Sequence, residues 1–177
     1  ASEDLLDYMI QAKDADTDRT MSAQDLVHNM EFFIVAGHET TALALAWSLF
    51  LLAHDPAAQQ KARVQARDVL GTRAATFADL DAMPYVQAVL EEAMRLYPPV
   101  ALLARNVLAP DQIYDREVRR NDTVFLNIFS LHRHAMLWQN PDAFDPDRFA
   151  PDQAAGRERY QYLPFGAGPR ICVGANF

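Results

Sequence analysis

The chain has 177 residues, half of them hydrophobic, and its 16 basic against 24 acidic residues give a net charge of −8. This length suffices for one domain with a sizeable core, whereas the negative charge argues against nucleic acid as a partner. The single cysteine, Cys172, excludes an internal disulfide. The chain does not begin with a methionine, and it has no positively charged segment followed by an apolar run. Both of its ends look cut, so we interpret the chain as part of a longer protein.

The N-terminal part is predicted to hold two helices separated by a charged loop. Apolar residues at helical spacing predict a short amphipathic helix over residues 3–12. Residues 13–19 carry three aspartates but lack the glycine and distal glutamate of a calcium loop, so they predict a solvated turn. Ser22, with Asp25 three residues later, resembles a capping box and predicts that a long helix begins there and runs over about residues 23–53.

Residues 32–53 of this long helix are apolar enough to span a bilayer. The polar cluster His38-Glu39-Thr40-Thr41 in its middle, its polar first turn and the lack of a basic flank argue against a membrane span. We therefore predict a helix buried on nearly all its faces in a globular protein. Buried polar groups are costly unless paired or working, so Glu39 and Thr40 are predicted to have a partner or a function.

Further helices and then a small β region are predicted for the rest of the chain. Proline and glycine at their ends delimit the helices, and runs rich in Val, Leu, Ile and Phe indicate the strands. The predicted elements are helices over residues 56–70 and 84–97, a helical turn over 77–82, strands over 100–108 and 123–128 with turns at Asp115-Arg116 and Asn121-Asp122, and an irregular meander over 132–162. The fold class is thus mainly α with a small β region.

The loop containing Cys172 is the strongest candidate site in the sequence. Three glycines (Gly166, Gly168 and Gly174) surround the cysteine, and glycine lets the backbone approach a flat cofactor closely. Backbone N–H groups turned toward the sulfur would stabilise a metal-binding thiolate. For the cysteine alone, a buried structural thiol is the better interpretation; the surrounding Phe165 and Arg170 favour a ligand loop.

The spacing of Phe165, Gly168, Arg170, Cys172 and Gly174 resembles the haem-ligand loop of the cytochrome P450 family. The resemblance implies the C-terminal part of a P450-like fold, with haem b as cofactor and Cys172 as ligand of its iron. It further implies that Phe165 covers the sulfur and that Arg170 contacts a haem carboxylate. The positions that it assigns to cofactor binding are Cys172, Arg170, Phe165, Gly166, Gly168, Gly174, Ala36, Gly37 and Arg105.

The same resemblance assigns an oxygen-binding motif to Ala36-Gly37-His38-Glu39-Thr40-Thr41 on the long helix. It implies that Ala36 and Gly37 open space for dioxygen, and that Thr40 and Glu39 are catalytic residues that deliver protons. A helical threonine can release its bond to the i−4 carbonyl and donate to a ligand instead. The alternative is that Thr40 stays bonded to its own helix and that Glu39 forms a salt bridge.

Glu92 and Arg95 have the i, i+3 spacing of a helical ion pair and resemble the Glu-x-x-Arg motif of the family. The resemblance implies that Arg148, in Pro146-Asp147-Arg148-Phe149, joins them in a structural triad. Arg105 matches a position that contacts a haem propionate. His132 and His134 are interpreted as a surface or structural pair rather than a metal site, because no third ligand accompanies them.

The chain is therefore interpreted as a partial P450 haem domain over residues 1–177, lacking the N-terminal half and the C-terminal end of the family fold. The resemblance implies an oxidoreductase in electron transport: a monooxygenase that uses dioxygen, an apolar organic substrate and electrons from a ferredoxin or reductase. The isolated segment is expected to be inactive and to expose apolar surface. A peroxide-using peroxygenase, or a non-catalytic helical fragment that binds no haem, are the alternatives. A cytoplasmic location is expected.

Overall fold

The computed structural model describes residues 4–175, so residue 3 of the first predicted helix and the last two residues lie outside the described part. Two units, Ala1–Ala42 and Leu43–Phe177, make up the chain. The described residues are mainly helical with a small β region. The helices are α1 (Leu5–Gln11), α2 (Ala23–His54), α3 (Pro56–Leu70), α4 (Pro84–Leu96), α5 (Ile128–Leu131) and α6 (Pro151–Ala154), and the strands are β1 (Leu102–Asn106), β2 (Asp111–Ile113), β3 (Arg116–Val118) and β4 (Thr123–Asn127).

Local polar contacts begin both helices of the first unit. Asp4 and Asp7 form a reciprocal capping box at α1. Ser22 and Asp25 do the same at α2: the Asp25 N–H donates to Ser22 Oγ at 3.1 Å, and the Ser22 N–H donates to the Asp25 carboxylate at 3.2 Å. Each pair satisfies N–H groups that a helix leaves without a partner at its start. The predicted start of α2 is therefore confirmed.

Helix α2 is long and apolar enough to cross a membrane, by length and composition alone. The prediction that it is buried on nearly all faces is wrong for this chain, since only 11% of its most apolar window is buried. Within the second unit, packing reaches only the end of the helix, where Leu51 packs against Ala93 and Leu96 and the Trp47 ring stacks on Tyr97. A helix that is apolar all round needs cover on every side, and the described residues supply it on one.

The second unit is built on α3 and α4. Asp55 caps α3 by accepting the Ala58 N–H at 2.9 Å, and Gly71, at φ +59°, ends it. A 3₁₀ helix over Phe77–Ala82 leads into α4, as predicted. Two clusters of buried apolar side chains involve α4, one with Ala93 and Leu96 and one in which Ala88 packs with Trp138 and Phe149. Helix α4 is thus the centre of this unit's core.

The four strands form two separate antiparallel pairs. β1 pairs with β4 through Leu102–Asn127 to Asn106–Thr123, and β2 pairs with β3 in a hairpin. The strand predicted over 123–128 ends one residue earlier, at Asn127, whose side chain caps α5. The hairpin itself was not predicted, because its three-residue strands are almost wholly exposed and carry no apolar alternation. Its turn is centred on Tyr114 and Asp115, with Tyr114 at φ +58°, one residue before the predicted turn.

The predicted meander over 132–162 is mostly irregular, with two short helices: a 3₁₀ turn over Pro146–Phe149 and α6. Side chains rather than repeating backbone bonds hold it in place. The Trp138, Phe149 and Tyr162 rings pack edge to face or tilted, and the Arg157 guanidinium lies 4.2 Å from the Phe149 ring centre. Such ring and cation contacts compensate for the scarce regular structure.

Candidate functional site

The loop around Cys172 is closed by its own backbone. The Cys172 N–H donates to the Phe165 carbonyl at 2.9 Å, and the Gly166 N–H donates to the Leu163 carbonyl at 3.2 Å. A 3₁₀ turn over Gly168–Arg170 lies between these residues. The thiol itself is exposed. The loop therefore fixes the backbone of the cysteine while leaving its sulfur free to bind a ligand.

The structure accounts for the three glycines of this loop in different ways. Gly166 and Gly168 have φ values of +71° and +74°, in the left-handed region that other residues rarely adopt. Gly174 has no such φ, and a Cβ placed there would lie 3.8 Å from the Cys172 sulfur, an ordinary contact. Backbone conformation therefore demands the first two glycines, whereas the third lies directly beside the sulfur.

Arg105 lies on the same strand face as a residue that adjoins the cysteine loop. Residues two apart on a strand share a face, so Arg105 and Leu103 project from the same side of β1. The Leu103 Cδ1 atom lies 3.4 Å from the position of a Cβ on Gly166. Arg105 donates to the Ala104 carbonyl at 2.8 Å. Its exposed guanidinium is thus on the side of the strand that the loop approaches.

Phe165 and Arg170 are partly or fully exposed. Phe165 is 38% exposed, and its carbonyl accepts the hydrogen bond from the Cys172 N–H. Within residues 4–175, the Arg170 guanidinium forms no hydrogen bond or ion pair. A guanidinium that no described residue pairs is available for an external carboxylate.

The oxygen motif predicted from the sequence lies in the first unit, on a stretch of α2 that is α-helical without interruption. The Thr40 hydroxyl donates to the Ala36 carbonyl at 2.7 Å, which is the backbone-bonded alternative. Glu39 is exposed, and within the described residues no salt bridge pairs it. Gly37 is in ordinary helical backbone, and a Cβ there would meet nothing within 4 Å. Neither strain nor packing among the described residues explains this glycine.

Glu92, Arg95 and Arg148 are brought together in the core of the second unit. Glu92 and Arg95 are fully buried, and Arg95 Nε and Nη2 donate to the two Glu92 oxygens at 2.6 and 2.8 Å. Arg148 Nε lies 3.3 Å from Glu92 Oε1. The remaining Arg95 donors reach the carbonyls of His132, Pro141 and Ala143 at 2.7, 2.7 and 3.1 Å. The network ties the irregular segment to α4.

His132 is a residue whose contacts the sequence did not indicate. It is fully buried, its ring centre lies 5.1 Å from that of Tyr162, and its Nε2 accepts the Leu163 N–H at 2.8 Å. Burial lowers its pKa to about 4. His134, by contrast, is exposed, so the two histidines do not form a pair at one site. The signal in the sequence was only a histidine next to Arg133 before an aromatic stretch.

A model of the family described as Cytochrome P450 matches residues 1–177. The chain belongs to the cytochrome P450 family. Cyclooctatin synthase from Streptomyces melanosporofaciens is 38% identical over 174 residues, which cover 98% of this chain and 38% of that protein. Human cytochrome P450 4V2 is 37% identical over 175 residues, which cover 98% of this P450 chain and 33% of that protein. The chain thus spans less than two-fifths of the length of these relatives.

Solved structures agree with the family assignment. The cytochrome P450DA haem domain has a TM-score of 0.89 at 33% identity, covering 97% of this chain and 38% of that one. The retinoic acid-bound cyanobacterial CYP120A1 has a TM-score of 0.91 at 30% identity, covering 100% and 41%. The predicted fold class and the predicted cofactor, haem, are confirmed. The exposed Cys172 thiol is of the chemical type that binds a haem iron, and the Arg170 guanidinium, without an ion-pair partner within residues 4–175, is of the type that binds a haem carboxylate.

Proposed function

We propose that this chain is the haem-binding segment of a longer haem-thiolate monooxygenase. The observation that carries the proposal is the cysteine loop, in which two left-handed glycines and the Cys172–Phe165 backbone bond present an exposed thiol. When bound there, haem supplies the chemistry that activates dioxygen for insertion of one oxygen atom into an apolar substrate.

The candidate haem-binding residues have distinct roles in this proposal. Cys172 holds the iron as a thiolate, with Gly174 beside the sulfur. Arg105 and Arg170 bind the haem carboxylates, because a guanidinium forms charge-assisted bonds to such groups. Phe165 limits access of water to the sulfur, which adjusts the reduction potential.

On α2, we assign proton delivery to Thr40 and Glu39 and space for dioxygen to Ala36 and Gly37. The absence of a Cβ at Gly37, which no backbone strain requires, supports the last assignment. In the described structure the Thr40 hydroxyl donates a hydrogen bond to the Ala36 carbonyl. Delivery of a proton by Thr40 therefore requires that this bond be released. Glu39, being exposed and without a salt bridge in residues 4–175, is able to exchange protons with solvent.

Haem ligation is tested on the whole protein. It is reconstituted with haem, reduced and exposed to carbon monoxide, and a strongly red-shifted Soret band is expected for thiolate ligation. Cys172→Ser should abolish that band, while Gly156→Ala, in a loop with open space around it, should keep it. A red-shifted band in Cys172→Ser would refute the assignment of the ligand.

The role of Thr40 is tested by how well electron use and product formation are coupled. Thr40→Ala should consume reduced donor without a matching amount of product, and Thr41→Ala is the matched control on the same helix. Equal coupling in both variants would remove Thr40 from the mechanism. The bond from Thr40 to Ala36 also favours a second candidate, a peroxygenase. Turnover with peroxide that matches turnover with dioxygen and electrons would support that candidate.

Partners and location are part of the same proposal. The substrate is an apolar small molecule, and the electrons come from a ferredoxin or a reductase. A reduced thiol as the iron ligand is compatible with the reducing cytoplasm, where we place the protein. Fractionation of cells producing the whole protein tests the location, and recovery in the membrane fraction would contradict it.

A further inference from the structure

A continuous path of hydrogen bonds connects the buried ion pair to the cysteine loop in the second unit. Arg95 Nη1 donates to the His132 carbonyl at 2.7 Å, and the Leu163 N–H donates to His132 Nε2 at 2.8 Å. From Leu163 the path enters the loop itself, since the Gly166 N–H donates to the Leu163 carbonyl. The last bond runs from the Cys172 N–H to the Phe165 carbonyl. His132 is the one side chain on this path between Arg95 and the loop.

The position of Leu163 explains why one bond to it matters. Leu163 is two residues before Phe165, whose carbonyl holds the Cys172 backbone. It follows an irregular stretch in which few backbone groups pair with one another, so its direction is not fixed by a helix or a strand. The bond to His132 joins residues that are 31 positions apart. Together with the Tyr162 hydroxyl, which donates to the Glu91 carbonyl at 2.8 Å, this bond fixes where the chain enters the loop.

The chemistry of His132 allows it to accept this bond. Nε2 accepts the Leu163 N–H, so in the neutral ring the proton is on Nδ1. Nδ1 is buried and forms no hydrogen bond of good geometry among the described residues, although the Met94 and Arg95 backbones lie near enough to oppose part of the lowering of its pKa. Burial, with the nearby positive charge of Arg95, lowers the pKa of His132 to about 4, and the ring is neutral near pH 7. A charged ring would lose the acceptor and place a second cation near Arg95.

We propose that His132 is a positioning residue that holds the entry to the cysteine loop and thereby sets the backbone position of Cys172. This inference deepens the proposed function, and its first test needs no haem. His132 does not touch the reacting atoms; it acts through Leu163.

Two substitutions separate the acceptor from the mere filling of space. In His132→Gln the amide oxygen is the same number of bonds from the backbone as Nε2, so it keeps an acceptor for the Leu163 N–H. In His132→Asn the oxygen is one bond short and the acceptor is lost. Val89→Ala, at a position equally buried on α4 but off the path, controls for general loss of stability.

The readout is hydrogen exchange of single amides in the whole protein prepared without haem, followed by NMR. In His132→Asn the Leu163 amide should exchange roughly tenfold faster, because a buried donor loses its acceptor, and the Gly166 and Cys172 amides should follow. His132→Gln should restore most of the protection. The Gly71 amide, which donates to Arg67 at the end of α3, should match Val89→Ala in both variants.

The proposal is overturned if the Leu163, Gly166 and Cys172 amides exchange no faster in His132→Asn than in Val89→Ala. An unprotected Leu163 amide in the unsubstituted chain overturns it too, and this measurement does not depend on any variant folding.

The haem-loaded whole protein gives a second readout. Carbon monoxide should give a smaller share of the red-shifted Soret band in His132→Asn than in Val89→Ala, with His132→Gln close to the unsubstituted protein. Equal shares in His132→Asn and Val89→Ala would contradict positioning of the thiolate. If no variant, including the unsubstituted protein, shows the band, the proposed function fails, while amide exchange still decides the role of His132.

Discussion

Replacement of Glu92 by glutamine removes a negative charge from the most deeply buried ion pair of the chain. The Glu92 carboxylate accepts two hydrogen bonds from Arg95 and one, at 2.9 Å, from the Asp145 N–H, and it lies 3.3 Å from Arg148 Nε. Glu92 and Arg95 have no exposed surface. Glu92→Gln leaves the guanidinium of Arg95 charged, buried and without its counter-ion.

The expected cost follows from this burial. Removing one partner of a buried ion pair destabilises a protein by about 3–5 kcal/mol, because the remaining charge is uncompensated. Glutamine also presents one acceptor oxygen where the carboxylate presents two, so one of the Arg95 donors loses its partner. Against a typical stability of about 5–15 kcal/mol, this loss is a large fraction of the total.

Urea unfolding measures the effect, followed by far-UV circular dichroism and by tryptophan fluorescence, since Trp138 lies 5.0 Å from the Arg95 guanidinium. The control is Lys61→Met, which removes the exposed ion pair of Lys61 with Asp147 and should cost less than about 1 kcal/mol. If Glu92→Gln loses no more stability than Lys61→Met, the buried charge is not what holds the segment, and the reasoning is refuted.

Three further substitutions or conditions have expected outcomes. Gly168→Ala should cost about 1–2 kcal/mol in urea unfolding, because φ at this position is +74°. Gly156→Ala, where φ is not positive and space is open, should stay within about 0.5 kcal/mol; equal effects would contradict the role of φ. Asp55→Ala should lower stability by about 1 kcal/mol through loss of the α3 cap, and an unchanged midpoint would show the cap to be dispensable. Stability should also fall by up to about 3 kcal/mol as the pH drops from 6.5 toward 4. In that window unfolded His132 binds a proton, since its ordinary pKa is 6.5, whereas the folded pKa is about 4. His132→Gln should flatten this pH dependence, and an unaltered profile would exclude His132 as its source.

The elements that the sequence predicted well are those with local signals. Proline at the first position and glycine after the last predicted the bounds of α3 as residues 56–70. The three-residue spacing of Ser22 and Asp25 predicted the start of α2, and the structure shows their reciprocal hydrogen bonds there. The β2–β3 hairpin was not predicted because its register depends on pairing between the strands rather than on an apolar pattern. The burial of α2 was predicted wrongly because an apolar composition shows only that a helix favours burial. Which residues cover the helix depends on the structure.

For the candidate site, the sequence indicated single residues better than their contacts. The i, i+3 spacing of Glu92 and Arg95 predicted that they would face each other, since a helix enforces it. The role of His132 was out of reach, because its bond to Leu163 depends on how an irregular segment folds over 31 residues. The state of Thr40 was left open by the sequence, and the structure shows its hydroxyl on the Ala36 carbonyl.

The five bonds of Arg95 limit where the length of this chain can vary. A guanidinium has five N–H donors in one plane, and here each is used, three of them on carbonyls between His132 and Ala143. An inserted or deleted residue within that stretch would move at least one carbonyl out of the plane. The exposed turn at Tyr114 and Asp115 provides none of the carbonyls that bind Arg95. Insertions, tags or permuted ends belong at that turn, while the loop between His132 and Ala143 has a length as fixed as that of a helix.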